Sequence, residues 1–183
     1  ADSSRIWFHE TLRIARTHRY PFHELWALNN TGVLERDVGN YETALECFKG
    51  ALAVGRRIGF DRGIALPARN LALVYSFMGE RDKAAAYLDE SIRVAERAGF
   101  KDLEVSGILD AGYLALEAGK YHQGAAYFRS ILARDFVFEE LRRIEAVDGL
   151  ARALAAMDSV DAAIEVLKPV VSPHAEVANY TEQ

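Results

Sequence analysis

Cysteine is almost missing from this chain: Cys47 stands alone in 183 residues, which excludes an internal disulfide and a cysteine-based zinc site. A reducing, cytoplasmic setting is the natural expectation. Proline is scarce too, with four residues, so the commonest helix breaker is rare. No stretch approaches the ~18 uncharged apolar residues of a membrane helix, and the N-terminus lacks a charged start followed by an apolar run, so no secretory signal is expected. Basic clustering is also lacking. The 22 Lys+Arg and 27 Asp+Glu give a net charge of −5 spread along the chain, which argues against direct nucleic-acid contact. What is present is a 50% hydrophobic, ordinary globular composition that favours helix over sheet.

Internal periodicity decides the organisation. Gly39-Asn40-Tyr41 precedes Ala44-Leu45, Phe48 and Ala51, and forty residues on Gly79-Glu80-Arg81 precedes Ala84-Ala85, Leu88 and Ser91. Another forty brings Gly119-Lys120-Tyr121, then Gly124-Ala125, Phe128 and Ile131; after thirty-nine more come Asp158-Ser159-Val160, Ala163-Ile164, Leu167 and Val170. A small residue stands seven positions before each turn: Gly32, Ala72, Gly112 and Ala151. Gly59-Phe60 recurs as Gly99-Phe100, and the register runs backward, with Phe8 forty before Phe48 and Tyr20 forty before Phe60.

Each unit reads as two helices, such as Leu25 to Val38 and Tyr41 to Ile58, with apolar positions every three or four residues. Both end at a glycine able to take a left-handed cap. The small residues let paired helices approach closely, and Phe48, Leu88 and Phe128 fill the space between successive pairs. One pair has too little core to stand alone, so the units must stack. Pro67 is expected to delay or bend the start of its helix.

Small-x6-Gly followed by Ala-x3-Phe-x2-Ala resembles the tetratricopeptide repeat (TPR). The likeness covers residues 5 to about 171. It departs from the family in its 40-residue period, where 34 is usual, and in keeping the large aromatic of the first helix only as Tyr75. Its forty-residue units, in runs such as Ala27-Leu28-Asn29-Asn30-Thr31-Gly32 and Gly63-Ile64-Ala65, are similar to the TPR arrays of large bacterial transcriptional regulators of the maltose-activator and antibiotic-regulator type, and of peptide-sensing regulators. The resemblance implies an all-α, right-handed superhelical solenoid of antiparallel helix pairs with about nine helices. It also implies one TPR-like domain over 1–183: a second helix of an incomplete repeat at 5–20, repeats at 25–60, 65–100, 105–136 and 138–171, and a tail at 172–183.

In such a stack the first helices line a concave surface. Two residues before each small position stand Asn30, Asn70, Asp110 and Gly149, so an amide ladder is expected along the groove, able to donate to and accept from an extended peptide. The family uses asparagine at the matching position in this way; the carry-over reaches Asn30 and Asn70, while Asp110 departs from the amide and Gly149 has no side chain. Neighbouring groove positions are Trp26, Asn29, Val33 and Arg36, then Leu66, Arg69, Leu73 and Phe77, then Ser106, Leu109, Tyr113 and Leu116. Arg36 and Arg69 suit a carboxylate clamp; Trp26, Phe77 and Tyr113 suit anchoring pockets. The plainer alternative is that the Asn pair only satisfies neighbouring helix ends and the aromatics only pack.

The five histidines show no metal-ligand spacing, and no phosphate-binding glycine loop follows a strand, so no metal, cofactor or enzymatic activity is expected. The segment 135–143 breaks the repeat and is expected to shorten the helix before it and distort the stack. The function implied is a protein- or peptide-binding module, the sensor or scaffold part of a larger bacterial regulator, without a membrane role. Self-association through uncapped solenoid ends is the alternative. Because both ends fall on repeat boundaries, the chain reads as a window of about four and a half units of a longer solenoid.

Overall fold

In the computed structural model the described residues are 2–134 and 140–171, with side chains described for 6–134 and 141–170. The expected distortion at 135–143 and the tail at 172–183 therefore lie wholly or partly outside them. Among the described residues there are nine helices and no strand: α1 (Asp2–Thr17), α2 (Pro21–Asp37), α3 (Tyr41–Ile58), α4 (Arg62–Phe77), α5 (Arg81–Ala98), α6 (Lys101–Glu117), α7 (Tyr121–Leu132), α8 (Glu140–Ala155) and α9 (Val160–Val171). Chain neighbours α1 and α2, α2 and α3, α3 and α4, α4 and α5, α7 and α8, and α8 and α9 pack on one another. The backbone packs into two compact units, residues 1–107 and 108–183.

Local chemistry sets the helix ends. Gly39, Gly59, Gly79, Gly99 and Gly119 all sit at positive φ, between +66° and +83°, where an L side chain is strained and glycine is not. At the end of α3, Phe60 N–H returns to the Gly55 carbonyl at 3.0 Å, and at the end of α5 Phe100 N–H returns to that of Ala95 at 2.9 Å, closing orphan carbonyls in the manner of a left-handed cap. The same bond ends α1, from Tyr20 N–H to the Ala15 carbonyl at 2.8 Å. There the left-handed residue is Arg19, at φ 56°.

In the first unit α2 packs on α3, α3 on α4, and α4 on α5. The seams are built from small residues opposite large ones. A Cβ on Gly32 would lie 2.7 Å from the Phe48 ring, so the fully buried Phe48 lies on bare backbone. Leu25 is likewise fully buried with Leu28, Ala51 and Val54, flanked by Phe60. Forty residues on, Ala65 takes the place of Leu25 among Ala95, Leu103, Val94 and Phe100.

Pro67 does not delay its helix. α4 starts at Arg62 and runs through a buried Pro67. Proline has no N–H to offer the carbonyl of Gly63, four residues back. That carbonyl lies against Gly55, where a Cβ would stand only 2.1 Å from the oxygen. A side chain at Gly55 would force α3 and α4 apart, whereas one at Gly63 would meet the side chains of Leu25 and Phe60.

In the second unit α7 packs on α8 and α8 on α9. α7 has 12 residues where α3 and α5 have 18. The fully buried ring of Phe128 is held between two glycines: a Cβ would come within 2.6 Å of it from Gly112 and 2.3 Å from Gly149.

Candidate functional site

α2 and α4 lie side by side in the first unit, each with one face spent on the core. For α2 the core face carries Leu25, Leu28 and Gly32. The adjoining strip carries Trp26, Val33 and Arg36, all half-buried; on α4 the matching strip carries Leu66, Arg69 and Leu73, also half-buried. Spacings of three and four residues along each strip keep these side chains on one helical face.

The two asparagine positions of the expected ladder are not alike. Asn30 is exposed, whereas Asn70 is buried and its Nδ2 donates to Oδ1 of Asn29 at 3.0 Å, the latter also buried. A buried amide pair of this kind ties α2 to α4 and withdraws one donor of Asn70 from any ligand. Asn30 has no such partner helix among the described residues. Position in the array, not residue type, separates the two.

Arg36 directs both Nε and an Nη to Asp37 Oδ1, at 2.9 and 2.7 Å. Its guanidinium is thus already partly neutralised at the edge of the strip. Trp26 meets the Phe60 ring edge-on at 6.4 Å, and Phe77, 61% exposed, stacks on Tyr41 at 5.9 Å. The strip therefore begins and ends at aromatic side chains, Trp26 beside Phe60 and Phe77 on Tyr41.

In α6, Ser106 and Leu109 are buried, and Asp110, Tyr113 and Leu116 are half-buried. Tyr113 packs edge-on against Phe128 at 5.2 Å and donates its hydroxyl to the Glu145 carbonyl at 2.9 Å. Burial, with the nearby Asp148 carboxylate second, pushes its phenol above the ordinary tyrosine range. At the fourth ladder position Gly149 leaves room for the Phe128 ring. A side chain there is excluded by packing, which is why the ladder stops.

Cys47 is half-buried and its thiol is pushed up by burial first and then by the carboxylates of Glu35 and Glu46, the direction of an unreactive thiol. Among the described residues no three His, Cys, Asp or Glu side chains gather as metal ligands, and no helix is long and apolar enough to cross a membrane.

One feature of the surface escaped the residue-type reading. An open groove of about 280 Å³ lies at the α1–α2 end, lined by Thr11, Ile14, Ala15, Tyr20 and His23. A second, of about 470 Å³, is lined by the next residues of the same turn, Arg16, Arg19, Pro21 and Glu24, with Arg57 and Ile58. The signal for the first was in the sequence: its lining stands forty residues before Ala51, Val54, Gly55, Phe60 and Gly63.

Comparison with known proteins follows the same lines. Residues 23–97 match the tetratricopeptide repeat family. No curated protein matches the chain in sequence. Among solved structures, BtubC (BKLC) of P. vanneervenii is similar with a TM-score of 0.74 at 15% identity, over 86% of this chain and 66% of that one. The Rap conjugation gene regulator of plasmid pLS20, in complex with the Phr* peptide, is similar with a TM-score of 0.69 at 14% identity, over 84% of this chain and 42% of that one. A kinesin-light-chain-type protein of Podosopora anserina, with nearly identical TPR-like repeats, has a TM-score of 0.63 at 15% identity, over 95% and 97%. At such identities the likeness is one of fold. The chain spans 66% and 42% of the first two structures.

Proposed function

Taking tetratricopeptide repeats over residues 23–97 as the premise, we propose that this chain is a protein- and peptide-binding module that receives an extended segment along the α2–α4 strip. The observation that carries the reading is the strip itself: Trp26, Val33 and Arg36 facing outward beside Leu66, Arg69 and Leu73, on helices whose opposite faces are satisfied by the core. Half-buried apolar side chains flanked by guanidinium groups give a peptide both an apolar anchor and a carboxylate partner. Asn29 and Asn70 hold the two helices in register beneath it. The Rap regulator, similar in fold, is described in complex with a peptide, which supports peptide as the ligand class here. A sensor or scaffold role in a larger bacterial cytoplasmic regulator is the context in which we place the module, with no catalytic step of its own.

Self-association is a second reading, favoured by Ile6 and Trp7 at 70% and 64% exposure and by Val160 and Ile164 at 56% and 50%. Selection of a random peptide library on the purified chain separates the two. Selected peptides are expected to lose roughly tenfold or more in affinity on Trp26→Ala or Arg69→Ala, while Ile164→Glu leaves them unaffected. A library that yields no strip-dependent peptide, together with concentration-dependent oligomers lost on Ile164→Glu, would transfer the function to self-association.

A further inference from the structure

The larger of the two grooves is bounded by three helices: Arg16 and Arg19 come from the end of α1 and the turn after it, Pro21 and Glu24 from the start of α2, Arg57 and Ile58 from the end of α3. Its opening is a property of the turn. Positions 16 and 19 are exposed, and so are 56 and 59 and again 96 and 99, although there a first helix packs on the second, α2 on α3 and α4 on α5. A Cβ on Gly59 or Gly99 would meet nothing within 4 Å. A complete helix pair therefore leaves this edge uncovered.

Charge is what distinguishes the copies. One turn on, Arg97 pairs with Asp61 at 2.7 Å and Arg56 with Glu90 at 2.6 Å, one carboxylate to each guanidinium. In the groove three guanidinium groups face the single carboxylate of Glu24. Glu24 holds two of them, Oε1 accepting from Arg16 Nε and Oε2 from Arg57 Nη2, each at 3.1 Å, and each fork keeps further N–H donors. The third, Arg19, enters no ion pair among the described residues. It also stands at φ 56° where the register has Gly59 and Gly99, a conformation that strains an L side chain and is of the kind kept at ligand clamps. Pro21 opens α2, whose 17 residues have no side-chain cap at this end, so the positive end of the helix dipole adds to the groove. The lining carries a net charge of +2 in a chain of net charge −5.

We infer that this groove binds a phosphate monoester. A dianion balances the charge of the lining, which a single carboxylate would leave half unmatched. Its oxygens, pointing tetrahedrally, offer separate acceptors to the forks of Arg16 and Arg57 on either side of Glu24 and to Arg19. Pro21 and Ile58 give an apolar surface to whatever body carries the phosphate, and a volume of about 470 Å³ leaves room for that body. The groove shares no residue with the α2–α4 strip and does not rest on the reading of that strip. Two sources carry the group, a small phosphorylated molecule and a phosphorylated side chain, and the arms of the test separate them.

Phenyl phosphate and a phosphoserine peptide are titrated separately into the intact, isotope-labelled chain and followed by amide chemical shifts. Saturable shifts are expected at residues 16–24 and at 57 and 58. Arg19→Gly, which installs the residue of the next two turns and so keeps the cap, should weaken binding about tenfold, and Arg57→Gln by a similar factor. Arg97→Gln, at the neighbouring turn, should change nothing. Benzenesulfonate has the same tetrahedral head with one charge fewer and should bind about tenfold more weakly than phenyl phosphate. Tighter binding of the phosphoserine peptide than of phenyl phosphate, lost in its unphosphorylated twin, gives the group to a partner protein; the reverse order gives it to a small molecule. The proposal is overturned if neither ligand binds in a way that Arg19→Gly and Arg57→Gln weaken, or if benzenesulfonate binds as well as phenyl phosphate.

Discussion

Asn70 and Asn29 share a buried hydrogen bond of 3.0 Å between neighbouring first helices. The bond converts one repeat position into a structural tie, while Asn30 at the same repeat position stays exposed. Removing the donor strands a buried amide oxygen, a loss of about 1–3 kcal/mol. Asn70→Ala should therefore lower unfolding free energy by that amount in urea titration, and Asn30→Ala by less than about 0.5 kcal/mol. A double-mutant cycle over Asn29 and Asn70 should return a coupling of about 0.5–1.5 kcal/mol. Equal costs at Asn30 and Asn70 would mean that the tie contributes nothing.

Much of the fold was legible because repetition multiplies weak signals. The glycines at 39, 59, 79, 99 and 119 recur where the chain must turn left-handed, and all five do. The fold class followed from them. Arg19 and Asp158 also turn left-handed, both at φ 56°; residue type alone gives little sign of this for Arg19, and only its place in the register does. Pro67 suggests a delayed or bent start of its helix, and the delay does not occur: α4 begins at Arg62, five residues before it. The candidate site was legible as a strip, but periodicity treats every copy as equivalent. Asn70 meets Asn29 on the neighbouring first helix while Asn30 is exposed, so the two share a letter and a register and not an environment.

Arg19 gives a direct test of the cap chemistry. An L residue at left-handed φ costs roughly 1 kcal/mol that glycine does not pay, and the equivalent positions 59 and 99 are glycine. Against this, glycine is more flexible in the unfolded chain, which returns part of the gain. Arg19→Gly should raise the stability of the first unit by up to about 1 kcal/mol, and Gly59→Ala should lower it by about the same, both measured by urea denaturation. A loss on Arg19→Gly would show that its side chain contributes more than the strain removes.

Gly149 sets two effects against each other. Alanine is the better helix former by about 1 kcal/mol, yet a Cβ there would lie 2.3 Å from the fully buried Phe128 ring. Overpacking of this kind typically costs about 1–3 kcal/mol, and a ring held between Gly112 and Gly149 has no side to yield to. Gly149→Ala should therefore destabilise despite its helix propensity. Phe128→Leu should itself destabilise, but in that background the added Gly149→Ala should cost less or become stabilising, with the non-additivity read from a four-member thermal denaturation series.

The Tyr113 phenol is a pH-sensitive group of the second unit. Its hydroxyl donates to the Glu145 carbonyl at 2.9 Å, and burial, followed by the Asp148 carboxylate, raises its pKa above the ordinary value of 10.0. The folded state thus holds the proton more tightly than the unfolded chain does. The contribution is complete below about pH 10, where both states are protonated, and is lost as pH rises from there through the raised folded value, because the unfolded tyrosine ionises first. Stability of the wild type should fall above about pH 10 more steeply than that of Tyr113→Phe, which cannot ionise there; the phenylalanine variant should be less stable at neutral pH by about 0.5–1.5 kcal/mol for the lost hydrogen bond. The curves must converge on the alkaline side. Parallel curves across that range would mean that the Tyr113 proton is not linked to folding, and a neutral-pH loss without convergence would leave the hydroxyl a purely structural donor.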